Sequence, residues 1–343
     1  MRPMTHTSAK QLLPVANKPV LFFALDSIAA AGLKDVGIVI GETGPQIKAV
    51  VGDGSAFGLK VTYIQQDAPS GLAHAVRIAQ DWLEEDDFLM YLGDNFLIGG
   101  VTEFIDAFHT ERPDAQVMLT HVPDPRSFGV AELDGRGRLI RIVEKPPDPK
   151  TNLAVAGVYA FTSAVHEAIA RIRPSARGEL EITDALQWLI DAGCEVSHQV
   201  VTGYWKDTGS VADMLEVNRL VLERLGTRVD GDVDEASQIS GHVQITAGAT
   251  VRNSTITGPV VITSGAQISH SRVGPFTSIG ENCRISGSDI ESSIVLPGTS
   301  IEGVRRVEKS FIGRDVEITG LASVTGDYTF VLGDDSRMHI GSS

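Results

Sequence analysis

Between residues 239 and 296 the apolar residues recur on a fixed period that few folds can satisfy. Ile239, Ile256, Val273 and Ile290 form one series, and Ile245, Ile262, Ile279 and Leu296 another, each returning after 17 residues. Val251, Ile268 and Ile285 run beside them, and within a turn the steps are six, six and five. Gly, Ser, Thr and Asn fill the gaps, and no helical period is present. Three short faces per turn, each pointing one apolar residue inward, describe a triangular parallel β-helix. An ordinary sandwich would instead alternate every second residue along longer strands. The spacing predicts that Ile245, Ile262, Ile279 and Leu296 stack in one buried column. The repeat begins near residue 230, so two domains are expected, 1–229 and 230–343, which suits a chain of 343 residues.

Upstream of the repeat the pattern is different. Helices are predicted at 20–31, 71–83, 102–109, 163–172, 181–192 and 210–225, and strands at 36–40, 61–64, 88–92, 117–122, 139–143 and 154–161. Their alternation argues for a three-layer α/β domain with a mainly parallel sheet. Residues 88–92 form an apolar run that breaks into Gly93-Asp94-Asn95. In open α/β sheets ligands bind at the C-terminal edge of the strands, and a carboxylate presented there is a hard oxygen ligand suited to Mg²⁺ carrying phosphates. Taken alone, the same residues read more readily as a strand-ending Asx turn. Asp207-Thr208-Gly209 read alone as a turn and N-cap for the helix that follows.

Charge narrows the partners. Lys and Arg number 29 against 44 Asp and Glu, a formal charge of −15. A chain this acidic is poorly suited to non-specific binding of nucleic acid or an anionic membrane. Any phosphate site has to be assembled locally from a few cations, backbone N–H groups and a metal. Cys194 and Cys283 offer no disulfide framework and no metal-knuckle spacing. No apolar run approaches the roughly 18 residues of a membrane span, and no signal-peptide pattern opens the chain. A cytoplasmic protein is expected.

The motifs of the first 225 residues resemble those of the sugar-1-phosphate nucleotidyltransferases. They are Lys10 with Gln11-Leu12-Leu13-Pro14-Val15 and Asn17-Lys18-Pro19, then Gly71-Leu72-Ala73-His74-Ala75 and Gly93-Asp94-Asn95. Phe128-Gly129-Val130, Glu144-Lys145-Pro146, the string from Arg177 to Asp184, and Asp207-Thr208-Gly209 follow in the family's order. Within that family the chain is most similar to the long-form glucose-1-phosphate thymidylyltransferases. The resemblance implies a Rossmann-like three-layer nucleotidyltransferase domain followed by a left-handed parallel β-helix. It also implies Mg²⁺-dependent transfer from dTTP to glucose 1-phosphate, giving dTDP-glucose for deoxysugar biosynthesis and releasing pyrophosphate. Asp94 and Asp207 would be the metal ligands. Lys10 would contact the triphosphate near the reacting phosphorus, with Arg2 beside it. Gln66 and Gly71, together with Asp94, would serve the nucleotide. Gly129, Glu144, Val155 and Tyr159 would form the glucose pocket, and Lys145 and Arg177 would meet the sugar phosphate. Tyr159 reads equally as a core aromatic.

Other readings stay open at this stage. One is a related pyrophosphorylase using another nucleotide or sugar. Another is acyl transfer in the β-helix, although His242, His270 and His339 are scattered rather than gathered into the constellation such chemistry needs. A third is a non-catalytic relative using the β-helix for allostery or for assembly into a homo-oligomer. The resemblance further places a Gly-x-Gly-Thr-Arg-Leu loop directly before Arg2-Pro3, preceded by a strand. Backbone N–H groups of such a loop would cradle the triphosphate. The expectation is that about 13 residues ahead of Met1 carry both, and that residues 1–343 alone are insoluble or inactive.

Overall fold

In the computed structural model, residues 2–6, 8–320 and 326–341 are described. Contacts divide the chain into two compact units, one of residues 21–207 and one joining 1–20 to 208–343. Among the described residues no helix is long and apolar enough to cross a membrane.

The first unit is built on the strand Leu153–Phe161, which is buried along its whole length. On one side it pairs with Ala115–His121. On the other, its second half pairs with Phe88–Tyr91 and Ala154 pairs with Val130. All three neighbours run antiparallel to it, so the expected parallel-dominated sheet is corrected to a mixed one. Parallel pairing survives between Val196–Val200 and Ala115–His121, and between Asp35–Ile40 and Lys60–Gln65. One contribution is connection length: residues 134–138 join Gly129–Leu133 to Leu139–Glu144 as a tight turn, whereas a parallel crossover between neighbouring strands takes a dozen residues or more. In the tight turn the Asp134 carboxylate accepts the N–H groups of Arg136 and Arg138 at 2.8 and 2.9 Å. Sequence reading also missed the strands Gly129–Leu133 and Val196–Val200 and the helix Gly44–Val51. Helix Leu72–Leu83 buries Ala73, Val76, Ala79 and Leu83, a stripe at helical spacing that joins the same core as the sheet.

The second unit contains the β-helix as three parallel sheets. Ile239, Ile256, Val273 and Ile290 are register partners in succession. So are Ile245, Ile262 and Ile279, but the next partner in that column is Val295, and Leu296 falls out of it. The turn between Ile290 and Val295 is one residue shorter than its predecessors, which lowers the repeat there to 16; Ile285 accordingly pairs with Ile301. The expected four-residue column is therefore corrected at its last member, although Leu296 is still buried.

One corner of the triangle carries a ladder of serines that the apolar pattern does not reveal. Ser254, Ser271 and Ser288 each donate the hydroxyl to the carbonyl two residues back. Each also accepts the backbone N–H of the next turn, that of Ser271, Ser288 and Val304 respectively, at 3.0–3.1 Å. These N–H groups are inside the protein, and the ladder supplies acceptors for them.

The outside of one sheet is also covered. Val261, Ser278, Ile294 and Phe311 alternate with the inward residues yet are all buried. At Ser278 the cover is helix Val211–Leu222. Asn218 of that helix is fully buried, accepts from Ser278 Oγ at 2.6 Å and from Ala16 N at 2.7 Å, and donates to Phe276 O at 3.1 Å. The hairpin of Pro14–Val15 and Lys18–Pro19 is held to the same surface by Asn17, whose side-chain amide donates to Ile279 O at 2.9 Å. Residues 1–20 and 208–229 thus group with the β-helix, a different division from the expected boundary at 229.

Two substitutions test this account by urea unfolding. Ile262→Asp places a carboxylate at a position with 0% exposure and no counter-charge; a loss of several kcal/mol, on the order of 3–5, is expected. Ser271→Ala leaves the Ser288 N–H without its acceptor and is expected to cost about 1–3 kcal/mol. A Ser271→Ala protein as stable as the parent would show that the ladder is incidental.

Candidate active site

The strand Phe88–Tyr91 ends in Leu92-Gly93-Asp94, and the chain then re-enters a short strand, Asn95–Leu97, antiparallel to Trp205–Asp207. In that register Asp207 is the partner of Asn95. Asp94 and Asp207, more than 100 positions apart in the chain, are thereby brought close along the backbone. Asn95 sits behind them, 3% exposed. Its Nδ2 donates to Asp94 Oδ1 at 2.9 Å, and its Oδ1 accepts from Trp205 Nε1 at 2.7 Å. An indole N–H can only donate, so the amide oxygen must face it and the NH₂ must face the carboxylate. Room for this amide comes from Gly157, where the register of Leu153–Phe161 shifts. Its φ is +66°, and a Cβ there would stand 2.9 Å from Asn95 Oδ1.

Among the described residues no group of three or more His, Cys, Asp or Glu is placed to hold a metal ion. Asp94 and Asp207 are a pair of hard oxygen donors. Such a pair fits Mg²⁺, which is commonly bound through one or two carboxylates with water and substrate phosphates completing the octahedron.

Gln66 and Gly71 lie at the C-terminal edge of the parallel pair. Gln66 follows the strand Lys60–Gln65, with its N–H on Ile40 O at 2.8 Å. Gly71 has φ of +100°, and a Cβ on it would meet Leu180 O at 2.3 Å. This glycine is required by close packing on the Leu180 backbone, a reason the motif alone does not reveal.

A third cluster gathers around Gly129. Gly129 is the register partner of Glu144. A Cβ on Gly129 would meet Thr183 Cγ2 at 2.7 Å, Val155 Cγ2 at 3.2 Å and Glu144 Oε2 at 3.4 Å. Gly129, Glu144 and Val155 are thus brought together as expected, and Thr183 joins them by donating to Glu144 Oε2 at 3.1 Å. Tyr159 is 3% exposed, with its ring stacked on Phe161 at 5.8 Å between centroids. Its ring is a core aromatic, and burial, with the charge of Glu144 adding to it, holds its hydroxyl in the neutral form. The two cations of this region are compensated. Arg177 binds Glu181 at 2.8 Å, Glu179 at 3.3 Å and Glu144 at 3.4 Å. Lys145 Nζ is 3.6 Å from Glu144 Oε1. Lys145 itself has φ of +42° and precedes Pro146, a strained combination for a residue with a side chain. Burial pushes the Glu144 carboxyl above its ordinary range, and Lys145, with smaller help from Thr183 and Arg177, opposes that.

Arg2 and Lys10 belong to the other unit. Lys10 opens the 3₁₀ turn Lys10–Leu12, and Leu13 N donates to its carbonyl at 3.2 Å. Arg2 lies in an exposed turn.

Residues 1–224 match the protein-family model described as nucleotidyl transferase, and residues 256–341 match that of the GMPPB C-terminal domain. The chain belongs to the nucleotidyl transferase family, whose members join a nucleotide to a sugar 1-phosphate to give a nucleotide sugar. A solved UDP-glucose pyrophosphorylase complexed with UDP-glucose shares the fold, with a TM-score of 0.59 at 22% identity over 65% of this chain and 94% of that one. Within the family the chain belongs with the glucose-1-phosphate thymidylyltransferases. It is 59% identical over 342 residues to that of Streptomyces griseus, covering 100% of this chain and 96% of the relative. To that of Streptomyces antibioticus it is 55% identical over 343 residues, with the same coverage.

The Glu144 environment makes a measurable prediction. Its carboxyl should titrate above the ordinary glutamate range in a ¹³C NMR titration, and Lys145→Met, which removes the largest opposing charge, should raise it further. A Glu144 titrating below the ordinary range would contradict the burial described.

Proposed function

We propose that this chain transfers the thymidylyl group of dTTP to glucose 1-phosphate, forming dTDP-glucose and pyrophosphate. The observation that carries the reading is the register that sets Asp207 opposite Asn95 and so beside Asp94. In this reading a phosphate oxygen of the sugar phosphate attacks the α-phosphorus and pyrophosphate leaves in line. Positioning and charge neutralisation are what the protein has to supply. Mg²⁺, when bound, neutralises phosphate charge, and Asp94 and Asp207 would hold it. Asn95 and Trp205 keep the Asp94 carboxylate oriented. Gln66 faces the pyrimidine edge, and Gly71 is the turn that starts the adjacent helix. Ionised Glu144 accepts from sugar hydroxyls in the space left by Gly129, bounded by Val155. Tyr159 supports that space from the core. Lys145, with Arg177 as a second cation, draws the sugar phosphate. Lys10 and Arg2 enter as triphosphate contacts on their motifs. A cytoplasmic setting, where nucleoside triphosphates are available, completes the reading.

Asp94→Asn and Asp207→Asn delete charge with little change of shape. Each is expected to lower Mg²⁺-dependent turnover by about 10²-fold or more, by analogy with other electrostatic deletions. Each should also abolish the Mg²⁺ dependence of dTTP binding in titration calorimetry. Unchanged Mg²⁺ dependence in both variants would remove the metal assignment. In a panel of triphosphates with glucose 1-phosphate, dTTP should give the fastest pyrophosphate release.

A further inference from the structure

The side-chain amide of Gln66 is oriented by two neighbours. Its Nε2 lies 2.9 Å from His74 Nδ1 and 3.4 Å from Gly71 O. A carbonyl oxygen can only accept, so the NH₂ end of the amide faces Gly71 and His74. His74 Nδ1 must then be the nitrogen with the lone pair, and the ring proton sits on Nε2. Both N–H groups of the Gln66 amide are engaged in this way. Its Oε1 is the atom left for a ligand, with no other protein partner among the described residues. His74 is half-buried on the first turn of helix Leu72–Leu83, and the start of that helix is fixed because Ala73 N donates to Leu180 O at 3.0 Å.

An acceptor presented to the pairing edge of a pyrimidine discriminates by polarity. Thymine and uracil carry an N–H at ring position 3 and can donate to it. Cytosine has a lone pair there and meets oxygen with nitrogen, acceptor against acceptor. A site that pairs one partner and leaves the other unpaired separates them by more than shape can.

We propose that His74 is a specificity-determining positioning residue, holding the Gln66 amide with its oxygen outward and so selecting pyrimidines that present a ring N–H over cytosine. This rests on the reading that Gln66 faces the base. An amide free to flip would offer either end and accept both classes.

The experiment measures dissociation constants of dTTP and dCTP, with Mg²⁺, by titration calorimetry on the full chain. His74→Leu removes the acceptor and should reduce the preference for dTTP over dCTP by about tenfold, the size of one lost orienting hydrogen bond. His74→Gln keeps an acceptor within reach and should retain most of the preference. His74→Phe keeps the ring's shape and should behave like His74→Leu. An unchanged ratio in His74→Leu or His74→Phe overturns the proposal. Independently of any variant, the imidazole ¹⁵N spectrum should show His74 protonated on Nε2; protonation on Nδ1 overturns it. Gln66→Leu separates the two levels. If Gln66→Leu lowers the ratio while the His74 variants do not, the base reading stands and the role of His74 falls. If Gln66→Leu leaves the ratio unchanged, the base reading itself fails.

Discussion

Burying the carboxamide of Asn95 is the step on which the α/β unit's site depends. An amide taken out of water without partners would cost several kcal/mol, so both ends have to be satisfied. The indole N–H of Trp205 serves one end and the Asp94 carboxylate the other. That arrangement needs space next to the most buried strand of the sheet, and Gly157 provides it with a backbone conformation and a close approach that a side chain would prevent. The same glycine accepts Leu92 N at 2.9 Å, which sets where the strand Phe88–Tyr91 ends and the Gly-Asp-Asn turn begins. One local irregularity in a core strand thus determines both the position of Asp94 and the orientation of its oxygens.

Polar satisfaction also shapes the other unit. The serine ladder closes a corner at which the chain must turn without the pairing that the flat faces enjoy. Asn218 performs a similar task on the outside, collecting a hairpin N–H, a serine hydroxyl and a carbonyl into one buried amide. Apolar residues fill the interior of the β-helix, but these hydrogen bonds decide which helix lies on which sheet. Residues that are close to the motifs of the first domain in sequence therefore take their contacts from the repeat.

Electrostatics follow a different logic. The chain's charge of −15 leaves few cations to spare, and the structure commits them closely. Arg177 is shared among three carboxylates, and Lys145 lies against Glu144. Burial disfavours ionised Glu144, while these cations favour it. A carboxylate balanced in this way can accept hydrogen bonds from neutral hydroxyls and still respond to an arriving phosphate, because the latter competes for the same cations.

The sequence by itself determined the β-helix and singled out the candidate site residues through their motifs. A period of 17 over several turns has one economical packing, and a strand that breaks into Gly-Asp-Asn places a carboxylate at a ligand-binding edge whatever surrounds it. The motifs also named Asp94 and Asp207, and Gly129 and Glu144, before the register that sets Asp207 opposite Asn95 and Gly129 opposite Glu144 was visible. Tertiary structure alone decided the direction of the sheet, because strand direction follows from connection length and pairing partners rather than from apolar period. Only the fold could show that Leu296 leaves its column, since a single-residue deletion in a turn preserves hydrophobicity while shifting register. The roles of Asn95, Trp205, Thr183 and His74 were likewise invisible beforehand. Each acts through a hydrogen bond to a residue set by the folded backbone, and a hydrogen bond depends on distance and direction that composition and spacing do not contain.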